Sequence, residues 1–285
     1  MIAPAFLKLA TVAALAFGAS TATAAGAFAD TAPHVSTVSA SQGHVAYART
    51  VKLTGTGLDA VTGVYLGGTK LSNLRHSSAS MLTVTVPHAP HFQAGKANFS
   101  IAANGTRSST GKTFRYVVTS SVDRQLRYLG ANLFRQHAGS GYAYYYNEDC
   151  ANFTSQTLHA RGFGFTNSWG PGQSNWVSST RLRSYLLGRG SATEYSDSQE
   201  SRARVRVGDV VQFDWDRTGG GDRDHTGVVT KIVKKSNGFI TIRYSAHTDP
   251  KNAAVSDETV EKSLAVHAQV LHFHRLGTVH YLHLH

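Results

Sequence analysis

The chain has 285 residues, 41% hydrophobic and 16% charged, which excludes both a disordered polymer and a single small domain. Its 28 Lys and Arg outnumber its 17 Asp and Glu, and the resulting formal net charge of +11 favours anionic partners. The basic residues are scattered, with no run longer than Lys234-Lys235. This pattern disfavours a dedicated nucleic-acid groove and favours anionic cell-wall polymers as partners.

The first 24 residues have the pattern of a secretory signal peptide. Lys8 is the only charged residue before Asp30, residues 9–19 are apolar, and Ala22-Thr23-Ala24 offers a cleavage signal between small residues. The apolar stretch is too short to cross a membrane, and no other stretch approaches about 20 apolar residues. We therefore expect export, a mature chain that begins near Ala25, and no transmembrane anchor.

Residues 33–117 are predicted to form an all-β domain. Short apolar or alternating runs recur, separated by turn signals such as Gly67-Gly68 and Asn104-Gly105. Roughly six or seven strands in about 85 residues fit an immunoglobulin-like sandwich. The predicted strands cover residues 34–39, 50–54, 63–66, 82–86, 97–102 and 113–117.

This stretch resembles the IPT/TIG family of immunoglobulin-like domains. The residues that carry the resemblance are TVKLTGTGL at 50–58, VYLGG at 64–68 and LTVTVP at 82–87. The resemblance implies a spacer, docking or binding module and not an enzyme.

Residues 120–277 are predicted to form a second domain, with helices first and strands later, which is an α+β pattern. Ser120 and Asp123 form a starting box for a helix over 121–137, and Gly162 ends a second helix over 151–161. A short helix is expected at 182–187. Strands are expected at 205–215, 226–233, 239–245 and 266–276, and the histidine-rich residues 279–285 are interpreted as a loose tail.

Cys150 is the only cysteine of the chain and stands directly before the predicted helix over 151–161. An unpaired thiol in an exported protein is buried and inert, bridges two chains, or is reactive. At a helix N-terminus, free N–H groups and the dipole lower the pKa of a thiol, and the same groups can hold an oxyanion. A small buried cysteine packed under the helix is the alternative, against which Asp149 argues mildly.

A nucleophilic thiol needs a base, and His225 is the best candidate because it opens a strand after a glycine-rich loop. It is one of 15 histidines, so a packing or surface role is the alternative. His247, at the end of the next strand, is the candidate for orienting the imidazole. Asp249 competes for that role and Asn252 is a weaker candidate, whereas an ordinary polar loop is the alternative for this segment.

The region from Val122 to Leu276 resembles the bacterial "putative amidase domain" family, a papain-like group similar in layout to CHAP and NlpC-type cell-wall hydrolases. The resemblance is carried by DCANFTSQ at 149–156, SNW at 174–176, VGDVV at 207–211, DHTGVV at 224–229 and SAHT at 245–248. It implies a papain-like fold with Cys150 as nucleophile, His225 as general base and His247 as third polar residue. Thr154 departs from the small aliphatic residue expected there and is conservative in volume.

Trp169 and Trp176 flank a loop rich in Gly, Pro and Ser and are candidates for substrate binding, because aromatic rings stack on sugars and peptides. Packing of that loop onto the core is the alternative. The run VGDV at 207–210 is interpreted as a structural turn. Neither HExxH nor paired CxxC occurs in the sequence, so we predict no metal site, and His272-x-His274 and the histidines from His280 onward would chelate only weakly.

Three functions are compatible with these residues. The first is cofactor-independent hydrolysis of an amide bond, with peptidoglycan as substrate, by an exported protein that acts as a monomer. The second is non-catalytic binding at the cell surface through the immunoglobulin-like domain, and the third is acyl transfer to an amine by the same thiol. The pairing of Cys150 with His225 favours the first.

Overall fold

The computed structural model describes residues 32–135, 141–217, 221–247, 255–270 and 277–285. The predicted signal peptide, Asp249, Asn252 and the His272-x-His274 pair lie outside these residues. Within them, no helix combines the length and the apolar character that crossing a membrane requires.

Two β-sheets form the N-terminal domain, in the orders β1-β3-β7-β6 and β2-β9-β8-β4-β5. All neighbouring strands pair antiparallel except β2 and β9, which are parallel. The strands are β1 (His34–Val38), β2 (Gln42–His44), β3 (Arg49–Thr56), β4 (Val61–Leu66), β5 (Thr69–Lys70), β6 (Ser72–Ser78), β7 (Met81–Val86), β8 (Gly95–Ala103) and β9 (Thr106–Val117).

The core of this domain follows from alternation along the strands. In β7, Leu82, Val84 and Val86 are buried while the residues between them are partly exposed. Since side chains of a strand point alternately to its two faces, every second residue of β7 faces the other sheet. Phe99 and Phe114 of the other sheet pack into the same cluster, edge to face with ring centroids 6.3 Å apart. The predicted sandwich is therefore confirmed.

Helices and an antiparallel sheet form the C-terminal domain, as predicted. The helices are α1 (Ser121–Asn132), α2 (Cys150–Arg161), α3 (Ser174–Val177), α4 (Ser179–Gly188), α5 (Gln199–Arg202) and α6 (Val260–Val270). The strands are β10 (Ala192–Ser196), β11 (Val210–Asp214), β12 (His225–Lys234), β13 (Ile240–Ala246), β14 (Val255–Thr259) and β15 (Thr278–Leu284). They form one sheet in the order β10-β15-β11-β12-β13-β14.

Consecutive residues of β12 show what covers each face of this sheet. Val228 packs in one cluster with Phe153 of α2, whereas Val229 packs in another with Phe213 and Tyr244. The second cluster also contains Val260 of α6. The central helix α2 therefore lies on one face and α6 on the other, and side chains two residues apart on β12 share a face.

Asp123 of α1 ties the two domains together. Its carboxylate accepts the backbone N–H of Ala46 at 3.1 Å and lies 2.7 Å from Nδ1 of His44, both in the N-terminal domain. Further along α1, a Cβ on Gly130 would lie 1.9 Å from the carbonyl oxygen of His91. Only glycine permits this close approach of helix and loop.

Two expectations about the C-terminal residues are wrong. Residues 266–270 belong to α6 and not to a strand, because Val260 and Leu264, one helical turn apart, pack this segment on the sheet. The histidine-rich end is not a loose tail, because it forms β15 between β10 and β11, with Tyr281 and Leu282 fully buried.

Candidate active site

Cys150 is the first residue of α2, and hydrogen-bond donors surround its sulfur. The Oγ of Ser179 lies 3.5 Å from the sulfur, and the backbone N–H groups of Ala151 and Thr226 donate to it. The residue is 8% exposed. The thiol is thus buried in a polar setting and not in a purely apolar one.

Burial raises the pKa of the Cys150 thiol above its ordinary value, and the nearby charge of Asp149 acts in the same direction. Hydrogen bonds from Ser179, Thr226 and Ala151 lower the pKa but do not offset the desolvation. The expectation that the helix N-terminus would lower this pKa is therefore wrong for the arrangement seen here. The physical reason is that removing a thiolate from water costs more free energy than the hydrogen bonds from these three donors contribute.

His225 opens β12 directly beside this sulfur, since the next residue, Thr226, donates its N–H to Cys150. The imidazole stacks on the ring of Trp215, with centroids 5.0 Å apart and planes inclined by 20°. It also lies near Phe213, its partner in β11. The structure therefore brings the N–H of the residue after His225 to the sulfur, whereas the imidazole packs among aromatic side chains on the face of the sheet opposite α2.

His247 follows β13 and contacts the residue that precedes Cys150. Its Nδ1 lies 2.6 Å from Oδ2 of Asp149, and its Nε2 lies 3.2 Å from the carbonyl oxygen of Asn132. Its ring stacks on Phe153, with centroids 3.6 Å apart. These contacts orient the start of α2 and do not orient His225, the role expected for this residue. Its competitors Asp249 and Asn252 lie outside the described residues.

The sequence reasoning missed Ser179, which lies at the first position of α4. Ser178 caps this helix by accepting the N–H of Arg181, so the local pattern SST at 178–180 reads as an ordinary helix start. Nothing in that pattern signals proximity to Cys150, which is 29 residues away. For Asp149 the sequence offered a weak indication of a role in the site, because a carboxylate stands directly before the cysteine.

Two family models match the chain, one in each domain. The model described as "Putative amidase domain" matches residues 121–268, and the model of the IPT/TIG domain matches residues 33–116. The first match covers more than half of the chain. The chain belongs to the putative amidase domain family. Cys150, His225 and His247 all lie within the amidase domain so defined.

Among curated proteins, the chain is 35% identical over 122 residues to "Uncharacterized protein YjcM" of Bacillus subtilis (strain 168). The similarity covers 40% of this chain and 30% of that protein, so the chain spans less than a third of its relative. A structure of the plexin A4 extracellular region is 18% identical over 30% of this chain and 8% of its own, with a TM-score of 0.27. A structure of SGBP-B from Bacteroides ovatus, in complex with a mixed-linkage heptasaccharide, is 11% identical over 74% of this chain and 39% of its own, with a TM-score of 0.21.

The two tryptophans predicted to bind substrate lie inside the amidase domain. Trp169 and Trp176 are fully buried, with ring centroids 4.6 Å apart. Nε1 of Trp176 donates to Oδ1 of Asn152, two residues after the cysteine, at 2.6 Å. Neither ring offers a solvent-facing surface on which a sugar or peptide could stack, so these contacts fit the packing alternative.

Asp209 confirms the structural interpretation of the VGDV motif. Its carboxylate accepts the backbone N–H groups of Arg206 at 2.7 Å and Leu284 at 3.2 Å, and it lies 3.0 Å from Nδ1 of His283. The motif thus anchors β15 to the turn before β11.

An acidic cluster lies next to His225 in the amidase domain. Carboxylate oxygens of Asp214, Asp216 and Asp224 lie within 4.8 Å of one another. Asp214 accepts the N–H of Arg217 at 2.7 Å, and Asp224 accepts that of Trp215 at 2.5 Å. Burial, together with the charges of Asp214 and Asp216, raises the pKa of Asp224. These hydrogen bonds from backbone N–H groups indicate that the carboxylates hold the loop after β11 in place.

Proposed function

We propose that this protein is an exported cysteine amidase that hydrolyses an amide bond of peptidoglycan. The observation that carries the proposal is the convergence of donors from α2, α4 and β12 on the Cys150 sulfur, with His225 adjacent to one of them. Membership of the amidase family supports the reaction class. The signal-peptide pattern supports export, and the charge of +11 favours the anionic polymers of a cell wall.

In the proposed reaction, His225 takes the proton of the Cys150 thiol and the thiolate attacks the amide carbonyl carbon. The N–H groups in the first turn of α2 hold the resulting oxyanion. When the tetrahedral intermediate collapses, His225 returns the proton to the leaving amine. It then deprotonates the water that attacks the thioester, and the sulfur regains its proton after the acid product leaves.

This sequence requires the imidazole to turn from Trp215 toward the sulfur. Rotation about the Cα–Cβ bond of His225 is not enough, because its ring packs with Phe213 and Tyr244 on the face of the sheet opposite α2. The main chain at the start of β12 must turn as well, so that the side chain of His225 reaches the face on which α2 lies. Until that happens, burial keeps the thiol neutral. The proposed resting state is therefore an uncharged cysteine that ionises once His225 faces it.

The first prediction concerns Cys150→Ala. We expect the variant to lose activity on purified cell walls by at least about a thousandfold, because no other group of the site can form the thioester. Release of new amino and carboxyl ends, identified by mass spectrometry, measures the activity and identifies the bond that is cut.

The variant's thermal unfolding curve serves as the control for folding, since the substitution removes only one heavy atom, the sulfur. Fragment release by Cys150→Ala at the wild-type rate would contradict the proposal. Wild-type protein that binds walls without releasing fragments would favour the non-catalytic alternative.

A further inference from the structure

Ser179 places a buried hydroxyl group against the nucleophilic sulfur. It is the first residue of α4, and the residue is 6% exposed. Its Oγ lies 3.5 Å from the Cys150 sulfur, within hydrogen-bond distance for that atom. A hydroxyl group that is buried and directed at a thiol can donate to it in either protonation state.

The main chain of Ser179 is held from the same sheet that contacts the sulfur. Nε2 of Gln212, a fully buried residue of β11, donates to the carbonyl oxygen of Ser179 at 2.9 Å. Gln212 pairs in register with Thr226, whose N–H donates to the sulfur. Two donors to the sulfur are thus fixed relative to each other through adjacent strands.

The next residue, Thr180, fixes the same helix start to the segment before His225. Its Oγ1 donates to Oδ1 of Asp222 at 2.6 Å and accepts the N–H of Arg223 at 2.9 Å. The Arg223 guanidinium in turn lies 2.8 Å from Glu194 of β10. Ser179 and Thr180 therefore link the sulfur to the residues that lead into the predicted base.

We propose that Ser179 is a catalytic residue whose hydroxyl group donates a hydrogen bond to the Cys150 thiolate. This inference rests on the proposed function, in which the thiol ionises. In the neutral pair either atom can be the donor, but once the proton has moved from sulfur to His225 only the hydroxyl group can donate. Ser179 keeps its own proton throughout, and its hydrogen bond strengthens because the acceptor has become an anion.

Ser179 also opposes an unfavourable neighbour. The Asp149 carboxylate, next to the cysteine in the chain, disfavours a second negative charge on the sulfur. The hydroxyl group stabilises that charge from α4, whereas the N–H groups of Ala151 and Thr226 do so from the main chain. Ser179 is the one side chain among these three donors, so a substitution can remove it cleanly.

The test measures the rate at which iodoacetamide alkylates Cys150 as a function of pH. Because the chain contains a single cysteine, the reaction reports one thiol. For Ser179→Ala we expect the profile to shift to higher pH, with alkylation at pH 7 roughly tenfold slower, as loss of a hydrogen bond to a charged group implies. Ser179→Thr, which keeps the hydroxyl group, should retain the wild-type profile.

Ser184→Ala is the matched control, because it removes an exposed hydroxyl group from the same helix that bonds only the carbonyl oxygen of Thr180 among the described residues. It should leave the profile unchanged. An unshifted profile for Ser179→Ala would overturn the inference, and so would an equal shift for Ser179→Thr.

Alkylation does not depend on amide hydrolysis, so the two proposals fail separately. If Cys150→Ala abolishes wall cleavage while Ser179→Ala leaves the profile unchanged, the role of Ser179 alone is wrong. If walls are not cleaved but the profile shifts as expected, the hydroxyl group is a thiolate donor and the amidase proposal is wrong.

Discussion

The Asp149 carboxylate is where three separate parts of the C-terminal domain meet. It accepts the N–H of Tyr145 at 3.0 Å and Nδ2 of Asn152 at 2.7 Å, and it lies 2.6 Å from Nδ1 of His247. Asp149 immediately precedes α2, yet its side chain does not cap that helix. Its contacts instead hold the start of α2, and hence Cys150, against the end of β13.

Removal of His247 tests this anchoring role. In His247→Ala, the almost fully buried Asp149 carboxylate loses its imidazole partner. It keeps the hydrogen bonds from Tyr145 and Asn152, and we expect the free energy of unfolding to fall by about 3 kcal/mol. Urea unfolding followed by tryptophan fluorescence measures the change.

The matched control for that experiment is His76→Ala, which truncates an exposed histidine of β6. Its effect should stay within about 0.5 kcal/mol, as for most surface positions. A loss for His247→Ala no larger than that of the control would show that the contact with Asp149 does not stabilise the domain.

At the scale of elements, α1 begins where the two domains are joined. Ser120 and Asp123 form the predicted capping box, in which each side chain bonds the other residue's backbone N–H. The same carboxylate also contacts His44 and the N–H of Ala46 in the N-terminal domain. One side chain therefore both starts a helix and joins it to the neighbouring domain.

Asp123 should contribute pH-dependent stability. Burial raises its pKa, but hydrogen bonds from His44, Ser120 and Thr119 outweigh this and lower it from 3.8 to about 2. Since the folded-state pKa lies below the unfolded one, the contribution is fully present above pH 3.8 and is lost as pH falls through about 2. A shift of this size corresponds to roughly 2 kcal/mol.

The measurement compares the unfolding free energies of wild type and Asp123→Asn between pH 2 and 7. We expect their difference to narrow at the acid end of that range by roughly 2 kcal/mol. Asp59→Asn, at an exposed position of the N-terminal domain, serves as the control and should differ from wild type by only a small amount. A difference in unfolding free energy between wild type and Asp123→Asn that does not change with pH would contradict the pH-dependent contribution of Asp123.

At the scale of the whole molecule, the last residues of the chain form an interior strand of the C-terminal sheet. β15 pairs with β10 on one side and with β11 on the other. It contributes Tyr281 and Leu282 to the clusters on opposite faces of the sheet. The sheet of the C-terminal domain is therefore complete only when residues more than 60 positions apart in the chain have paired, as Val210 does with Leu282.

Deletion of residues 278–285 should prevent the C-terminal domain from folding. Removal of four largely buried apolar side chains, at about 2 kcal/mol each, would match the whole stability of a typical domain. All three tryptophans lie in this domain, so a red-shifted fluorescence emission would report its loss.

His285→Ala is the control for the deletion, because it changes an exposed terminal side chain and leaves β15 intact. It should keep the wild-type emission. Native emission from the truncated chain would show that the sheet does not depend on β15.

Local features of the fold were predictable because they depend on residues a few positions apart. The capping box at Ser120, the stop at Gly162, where φ is 123°, and the start of α2 beside Cys150 all follow from short-range hydrogen bonding and backbone sterics. The alternation that marks β7 is equally local. In the candidate site, the same reasoning singled out Cys150, His225 and His247 as residues but not their contacts.

The sequence by itself determined an immunoglobulin-like sandwich, an α+β domain, and a cysteine at the head of a helix. Only the tertiary structure decided that burial raises the pKa of that thiol, that Ser179 faces it, and that His247 contacts Asp149 across 98 positions of chain. The reason is physical. Helix caps and strand alternation are set by neighbours along the chain, whereas desolvation and strand pairing depend on which distant segments come together on folding.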